Sequence, residues 1–153
     1  MNRMAVTLTT VLILFILAGL QMVIAQDQEP AQTEEIRDGV FVHISHAADD
    51  PHRLLMGLQM AALMSETQDV LVYFDIKGVD AVVKTAENYS YSHFPKSLEQ
   101  IEKLKEAGVI IMACPGCLKA AGYTAEDLLP GVKVADKQAF FNFTRGRILT
   151  LDY

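Results

Sequence analysis

Val109-Ile110-Ile111-Met112-Ala113 runs directly into Cys114-Pro115-Gly116-Cys117. A short apolar run with a β-branched start, closed by a proline and a glycine, reads as a buried strand ending in a turn. On its N-terminal side lies Ser97–Ala107, where Leu98, Ile101 and Leu104 form one stripe and Glu99, Glu102, Lys103 and Lys105 lie outside it. That pattern predicts an amphipathic helix, and Gly108 ends it. On the C-terminal side, Leu118–Ala121 predicts a helical turn stopped by Gly122.

The same alternation extends in both directions. Gly39–Ser45 (GVFVHIS) is a first strand. Asp49-Asp50-Pro51 opens a helix over Pro51–Ser65, because a carboxylate before a first-turn proline is a strong start signal. Its methionines, Met56, Met60 and Met64, recur at helical spacing and read as core. Asp69–Phe74 (DVLVYF) is a second strand, Gly78–Ala86 a short helix, and Glu87–Pro95 a polar, aromatic loop. Thr124 starts a short helix to Leu129, Val132–Ala135 is a fourth strand, Asp136 caps a helix to Phe143, and Arg147–Leu151 is a fifth strand. Near-continuous apolar strands alternating with helices predict an α/β domain with a mainly parallel sheet covered on both faces.

Before this domain the chain changes character. Residues 1–25 hold one charge, Arg3, then an apolar run and a small residue, Ala25. This reads as a secretory leader cut after Ala25, with an uncleaved membrane anchor as the alternative, so the mature protein is expected to be exported, periplasmic and, after cleavage, free of a membrane segment. Residues 26–37, with the acidic stretch QDQEPAQTEE, read as a tether, and 38–153 as one domain. The formal charge of −6 becomes −7 once Arg3 is lost with the leader. An acidic chain without a basic cluster argues against a nucleic-acid partner.

Both cysteines of the chain lie in the Cys114–Cys117 motif. A bridge across so short a loop restrains little of the unfolded chain, so the pair reads as reactive or ligating. The turn places Cys114 at a strand end and Cys117 near a helix start, where backbone N–H groups favour a thiolate. Such a thiolate can attack a sulfane sulfur and carry a persulfide. The motif follows two strands and at least two helices, unlike the early, long-helix setting of a thioredoxin site. On an open parallel sheet ligands bind beyond the carboxyl ends of the strands. Three groups fall there: His43 and His46 after strand one, Asp75 after strand two, and Cys114 with Cys117 after strand three. His52 opens the first helix, and His93 lies in the loop before the Ser97 helix. Thiolate with imidazole suits copper(I) or zinc, so Cys114, Cys117, His43, His46 and His93 are the candidate ligands if a metal binds. No Gly-rich phosphate loop and no nucleophile elbow is present.

The segments His46–Ala61, Phe94–Val109, Ala113–Tyr123 (ACPGCLKAAGY) and Leu128–Asp136 (LLPGVKVAD) resemble the DsrE/DsrF-like family across nearly the whole mature chain. The resemblance implies a three-layer α/β/α fold with a five-stranded sheet, a homo-oligomer (trimer or hexamer), and no cofactor. It implies relay of sulfur as a persulfide, and together with the leader this makes a thiol-based sulfur carrier of the cell envelope, with donor and acceptor proteins as partners, the expected function. Cys114 would be the persulfide acceptor, and Cys117 would resolve the persulfide or hold an oxidised state. A metal-binding protein, or an oligomeric adaptor without cysteine chemistry, are the alternatives. The family's strand order sets strand one beside strands two and five, which brings Asp75 and the His93 loop nearest to Cys114. A flavodoxin-like order would instead set strand one beside strand three and bring up His43 or His46. Both orders stand open at the level of sequence.

Overall fold

The computed structural model describes residues 36–153, and the expected leader and most of the expected tether lie outside the described residues. Five strands, β1 (Gly39–Ile44), β2 (Asp69–Phe74), β3 (Ile110–Ala113), β4 (Lys133–Val134) and β5 (Ile148–Asp152), form one sheet in the order β4-β3-β2-β1-β5. Every pairing is parallel. Strand one therefore lies between strands two and five, the first of the two orders left open by the sequence.

The helices are α1 (Pro51–Ser65), α2 (Ser97–Glu106), α3 (Pro115–Ala121) and α4 (Lys137–Asn142). The connections from β1 to β4 all step the same way across the sheet. Right-handed crossovers then place α1, α2 and α3 on one face, while the return from β4 to β5 places α4 on the other. Side-chain alternation fits this division. Val40, Val42 and Ile44 of β1 are buried under α1, where Gly57 approaches so closely that a Cβ would come within 2.9 Å of Ile44 Cγ1. Phe41 points the other way, its ring 5.6 Å from that of Phe140 in α4. Three layers result, with the densest core between the sheet and α1 and α2. Phe74, Leu54, Leu55, Leu58, Ile101, Leu104 and Ile111 are essentially inaccessible there.

Local chemistry sets the element ends. Asp50 accepts the Arg53 N–H at 3.1 Å and Pro51 occupies the first turn of α1. Asp136 accepts the N–H groups of Gln138 and Ala139 at 2.9 and 3.0 Å to start α4. Gly108 and Gly122 end α2 and α3 at φ 76° and 84°, a conformation that favours glycine.

The structure corrects several boundaries. The expected helix over Gly78–Ala86 is a 3-10 turn, Gly78–Ala81, followed by a bridge between Val83 and Leu128. The Val82 carbonyl accepts the Leu129 N–H at 2.9 Å and the Lys84 N–H goes to the Asp127 carbonyl at 2.7 Å. These groups are thus taken by another segment rather than by a helix ladder. The segment after Thr124 is also a 3-10 turn, Ala125–Asp127, closed by the Asp127 carboxylate accepting the Thr124 N–H at 2.8 Å. The helix behind the cysteines begins at Pro115, three residues earlier than expected, so it contains Cys117.

Candidate functional site

Cys114 is the N-cap of α3. Its N–H continues the ladder by donating to the Phe74 carbonyl at 2.8 Å, and its sulfur accepts the Cys117 N–H at 3.4 Å. Pro115 fits the first helical position, where no N–H is needed. Gly116 is not required for space, because a Cβ there would meet the Cys114 sulfur at an ordinary 3.8 Å. Both cysteines are free thiols and half-buried. The α3 helix is only seven residues long, so direct donors matter more here than a macrodipole.

Register supplies the decisive donor. Tyr73 pairs with Met112, so alternation sends the Tyr73 side chain and Cys114 toward the same face of the sheet. The Tyr73 hydroxyl faces the Cys114 sulfur as the side-chain donor that most favours its thiolate. Burial of that sulfur opposes ionisation. The Tyr73 hydroxyl, the Cys117 N–H, the Cys117 thiol and the Gly116 N–H outweigh it and hold the Cys114 thiol below the usual cysteine range. Burial pushes the Cys117 thiol up, and its donation to Cys114 pushes it further, against an opposing N–H from Ile76. The Tyr73 phenol is raised by burial and by its bond to Cys114, so it stays a donor. The outcome is one sulfur prepared as a thiolate beside a second that keeps its proton.

Tyr73 itself is held among rings. Its centroid lies 4.8 Å from Phe140, 5.9 Å from Phe41 and 5.8 Å from His43. His43 pairs in register with Tyr73 on one side and Asp152 on the other. Its Nδ1 is 2.8 Å from Asp152 and its Nε2 is 2.8 Å from Asp75, the latter an ion pair without hydrogen-bond alignment. Burial disfavours the charged ring, but the two carboxylates outweigh it and raise the His43 pKa above 6.5.

The remaining expected residues are engaged elsewhere. His46 Nδ1 is 2.7 Å from Asp49, and its other nitrogen faces Arg53 at 3.4 Å. His52 stacks on Tyr91 at 4.4 Å, which lays the aromatic loop against the start of α1. His93 contacts Ser92 at 3.2 Å and stacks on Phe94. Among the described residues no group of three or more His, Cys, Asp or Glu side chains is placed to hold a metal ion. The structure thus joins Cys114, Cys117, Asp75 and His43 at one sheet edge and leaves His46 and His93 out. Sequence reasoning missed Tyr73 and Asp152. The only available signal was parity: Tyr73 lies two residues before Asp75, and His43 two after Phe41.

A parallel α/β sheet carrying an activated thiol at a strand end defines a thiol-bearing α/β protein. Residues 38–145 match the DsrE/DsrF-like family, and the chain belongs to it. An uncharacterized protein of Methanopyrus kandleri, MK0008, is 30% identical over 114 residues, covering 74% of this chain and 92% of that one. Among solved structures, the ychN protein from E. coli is similar with a TM-score of 0.53 at 14% identity, over 76% of this chain and 99% of that one. A protein of unknown function from Methanobacterium thermoautotrophicum, MTH1491, is similar with a TM-score of 0.50 at 21% identity, over 75% and 99%. These two likenesses concern the fold.

Proposed function

We propose that this protein is an exported thiol-based sulfur carrier with Cys114 as the persulfide acceptor. The observation that carries the reading is the set of donors around the Cys114 sulfur: the Tyr73 hydroxyl with the N–H groups of Gly116 and Cys117. In the loading step the Cys114 thiolate attacks the outer sulfur of a donor persulfide. The donor's S–S bond breaks, the donor leaves as a thiolate with the electron pair, and Cys114 holds the –S–SH group. In the unloading step an acceptor thiolate attacks that outer sulfur and Cys114 leaves as a thiolate. The same donors stabilise it as nucleophile and as leaving group. The reading needs no cofactor, since the thiol supplies the chemistry. Export rests on the residue 1–25 leader, and membership of the DsrE/DsrF-like family, often linked to sulfur relay, favours the reaction class.

The test is incubation of the reduced protein with a small-molecule persulfide followed by intact-mass analysis. A gain of about 32 Da, one sulfur atom, is expected in Cys117→Ser, where the second thiol cannot discharge it, and is absent in Cys114→Ser. An adduct that survives Cys114→Ser would sink the reading.

A further inference from the structure

The sulfur-carrier reading leaves three features unused. The Cys117 thiol lies within one helical turn of Cys114, whose sulfur accepts the Cys117 N–H at 3.4 Å. The Ile76 N–H favours the Cys117 thiolate, against burial and the neighbouring Cys114. Ile76 itself has φ 46°, a left-handed conformation costly for a β-branched residue, and its side chain is 63% exposed, so no packing gain explains the strain. The segment is also fixed from below: a Cβ on Gly78 would come within 2.2 Å of the Ile44 carbonyl oxygen, and Gly78 N–H donates to the Ser45 carbonyl at 3.1 Å. A strained peptide clamped onto β1 thus serves the second sulfur, which a one-thiol carrier does not need.

We propose that the cysteine pair discharges its own persulfide as hydrosulfide, which makes the protein a persulfide reductase recharged by an external dithiol. This rests on the sulfur-carrier reading. A persulfide on Cys114 ionises to –S–S⁻. Cys117 attacks the inner sulfur, which is Cys114 Sγ. A Cys114–Cys117 bond forms, the bond between the two persulfide sulfurs breaks, and the outer sulfur departs with the electron pair. The Cys117 proton passes to the departing sulfur, so a thiol and a persulfide anion become a disulfide and HS⁻. Atoms and charge balance with no added oxidant. A dithiol then reduces the disulfide and is itself oxidised.

The arrangement of groups suits each part of this step. Both thiols lie in one turn, three residues apart, as the attack requires. Cys117 holds its proton above the usual range, so the proton is available to the departing sulfur. Asp75 is anchored by His43, and behind it Asp152 completes the charged edge. That negative edge, facing Cys117 and Tyr73, favours departure of an anion into solvent.

The experiment is an anaerobic single turnover with glutathione persulfide, fewer equivalents than protein, comparing the reduced protein with Cys117→Ser. Hydrosulfide is trapped and the intact mass recorded, with circular dichroism to check folding of the variant. The wild-type protein is expected to release one equivalent of hydrosulfide per persulfide and to lose about 2 Da as the disulfide forms. Cys117→Ser is expected to keep the sulfur adduct and to release hydrosulfide at least about ten-fold more slowly. Equal release from both proteins, or a wild-type adduct that persists without release, would overturn the proposal and leave the carrier reading standing. Failure of Cys117→Ser to take up sulfur at all would overturn the carrier reading itself.

Discussion

Tyr73 is the residue on which the reactivity of Cys114 turns. Its hydroxyl supplies the principal side-chain donation that offsets burial of the sulfur. Tyr73→Phe keeps the ring packing with Phe41 and Phe140 and removes only that bond. The pH at which Cys114 alkylates half-maximally is expected to rise, with about three- to ten-fold slower alkylation at neutral pH, measured in a Cys117→Ser background. An unchanged profile would remove Tyr73 from the site. His43 gives a second expectation. Its folded pKa lies above 6.5, so the charged ring adds stability that is fully present below the unfolded value and is lost as pH rises through the folded one. The thermal midpoint of the wild type should exceed that of His43→Gln at acidic pH, and the gap should close on the alkaline side. A gap that widens with pH would contradict the ion pairs with Asp75 and Asp152. Little of this network was legible in the sequence. DVLVYF reads as an apolar strand, and neither Tyr73 nor Asp152 carries a motif. Only the β5-β1-β2-β3 register puts Asp152, His43, Tyr73 and Met112 in one row, with Cys114 two residues beyond Met112 on the same face. The cysteines were legible because four residues contain both.

The elements around the cysteines divide into those fixed by local signals and those fixed by partners. The helix at Pro51–Ser65 and the strand at Asp69–Phe74 were read correctly because a cap, a proline and a run of apolar residues agree. The 78–86 segment was misread for a physical reason. Val79, Val82 and Val83 are all buried, and their spacing imitates a helical stripe. The Val82 carbonyl and the Lys84 N–H instead bond to Leu129 and Asp127, far along the chain, which no local pattern discloses. The turn leading into this segment makes a stability expectation. Ile76→Gly relieves the positive φ and should stabilise the fold by about 0.5–1 kcal/mol in denaturant titration. A loss of stability would mean that Ile76 packs in a way its exposure belies. Gly78→Ala should destabilise by about 2–4 kcal/mol, since its Cβ would meet the Ile44 backbone and not a movable side chain. Gly116→Ala, whose Cβ would make only an ordinary 3.8 Å contact with the Cys114 sulfur, should leave the stability within about 0.5 kcal/mol of the wild type and so separate turn shape from steric need.

At the scale of the whole molecule, the two faces of the sheet are covered unequally. The α1 side is closed, whereas α4 is six residues long and covers the other side in part. An apolar cleft lined by Phe41, Phe140, Phe141, Phe143 and Ile148 opens beside it. Phe141 is 69% exposed and Leu149, on the β5 edge, 56%. Exposed apolar surface of this kind favours burial against another surface. We propose that copies of this chain associate there as a homo-oligomer, as the sequence resemblance implies. Phe141→Asp should then lower the mass seen by light scattering to that of one chain, whereas a wild-type protein that is already monomeric would refute the assembly. The fold class at this scale was legible, because alternation predicted the parallel α/β sheet; the strand order was left open, and the structure has the one of the two that the family resemblance implies. The function rests on a single sulfur, and one measurement reaches it most directly. The reduced protein is treated with glutathione persulfide in the Cys117→Ser background, and the adduct is located by mass. The expected result is a gain of about 32 Da on Cys114, abolished when Cys114 is also replaced by serine. A protein that stays unmodified, with Cys114 free and alkylatable throughout, would contradict the account.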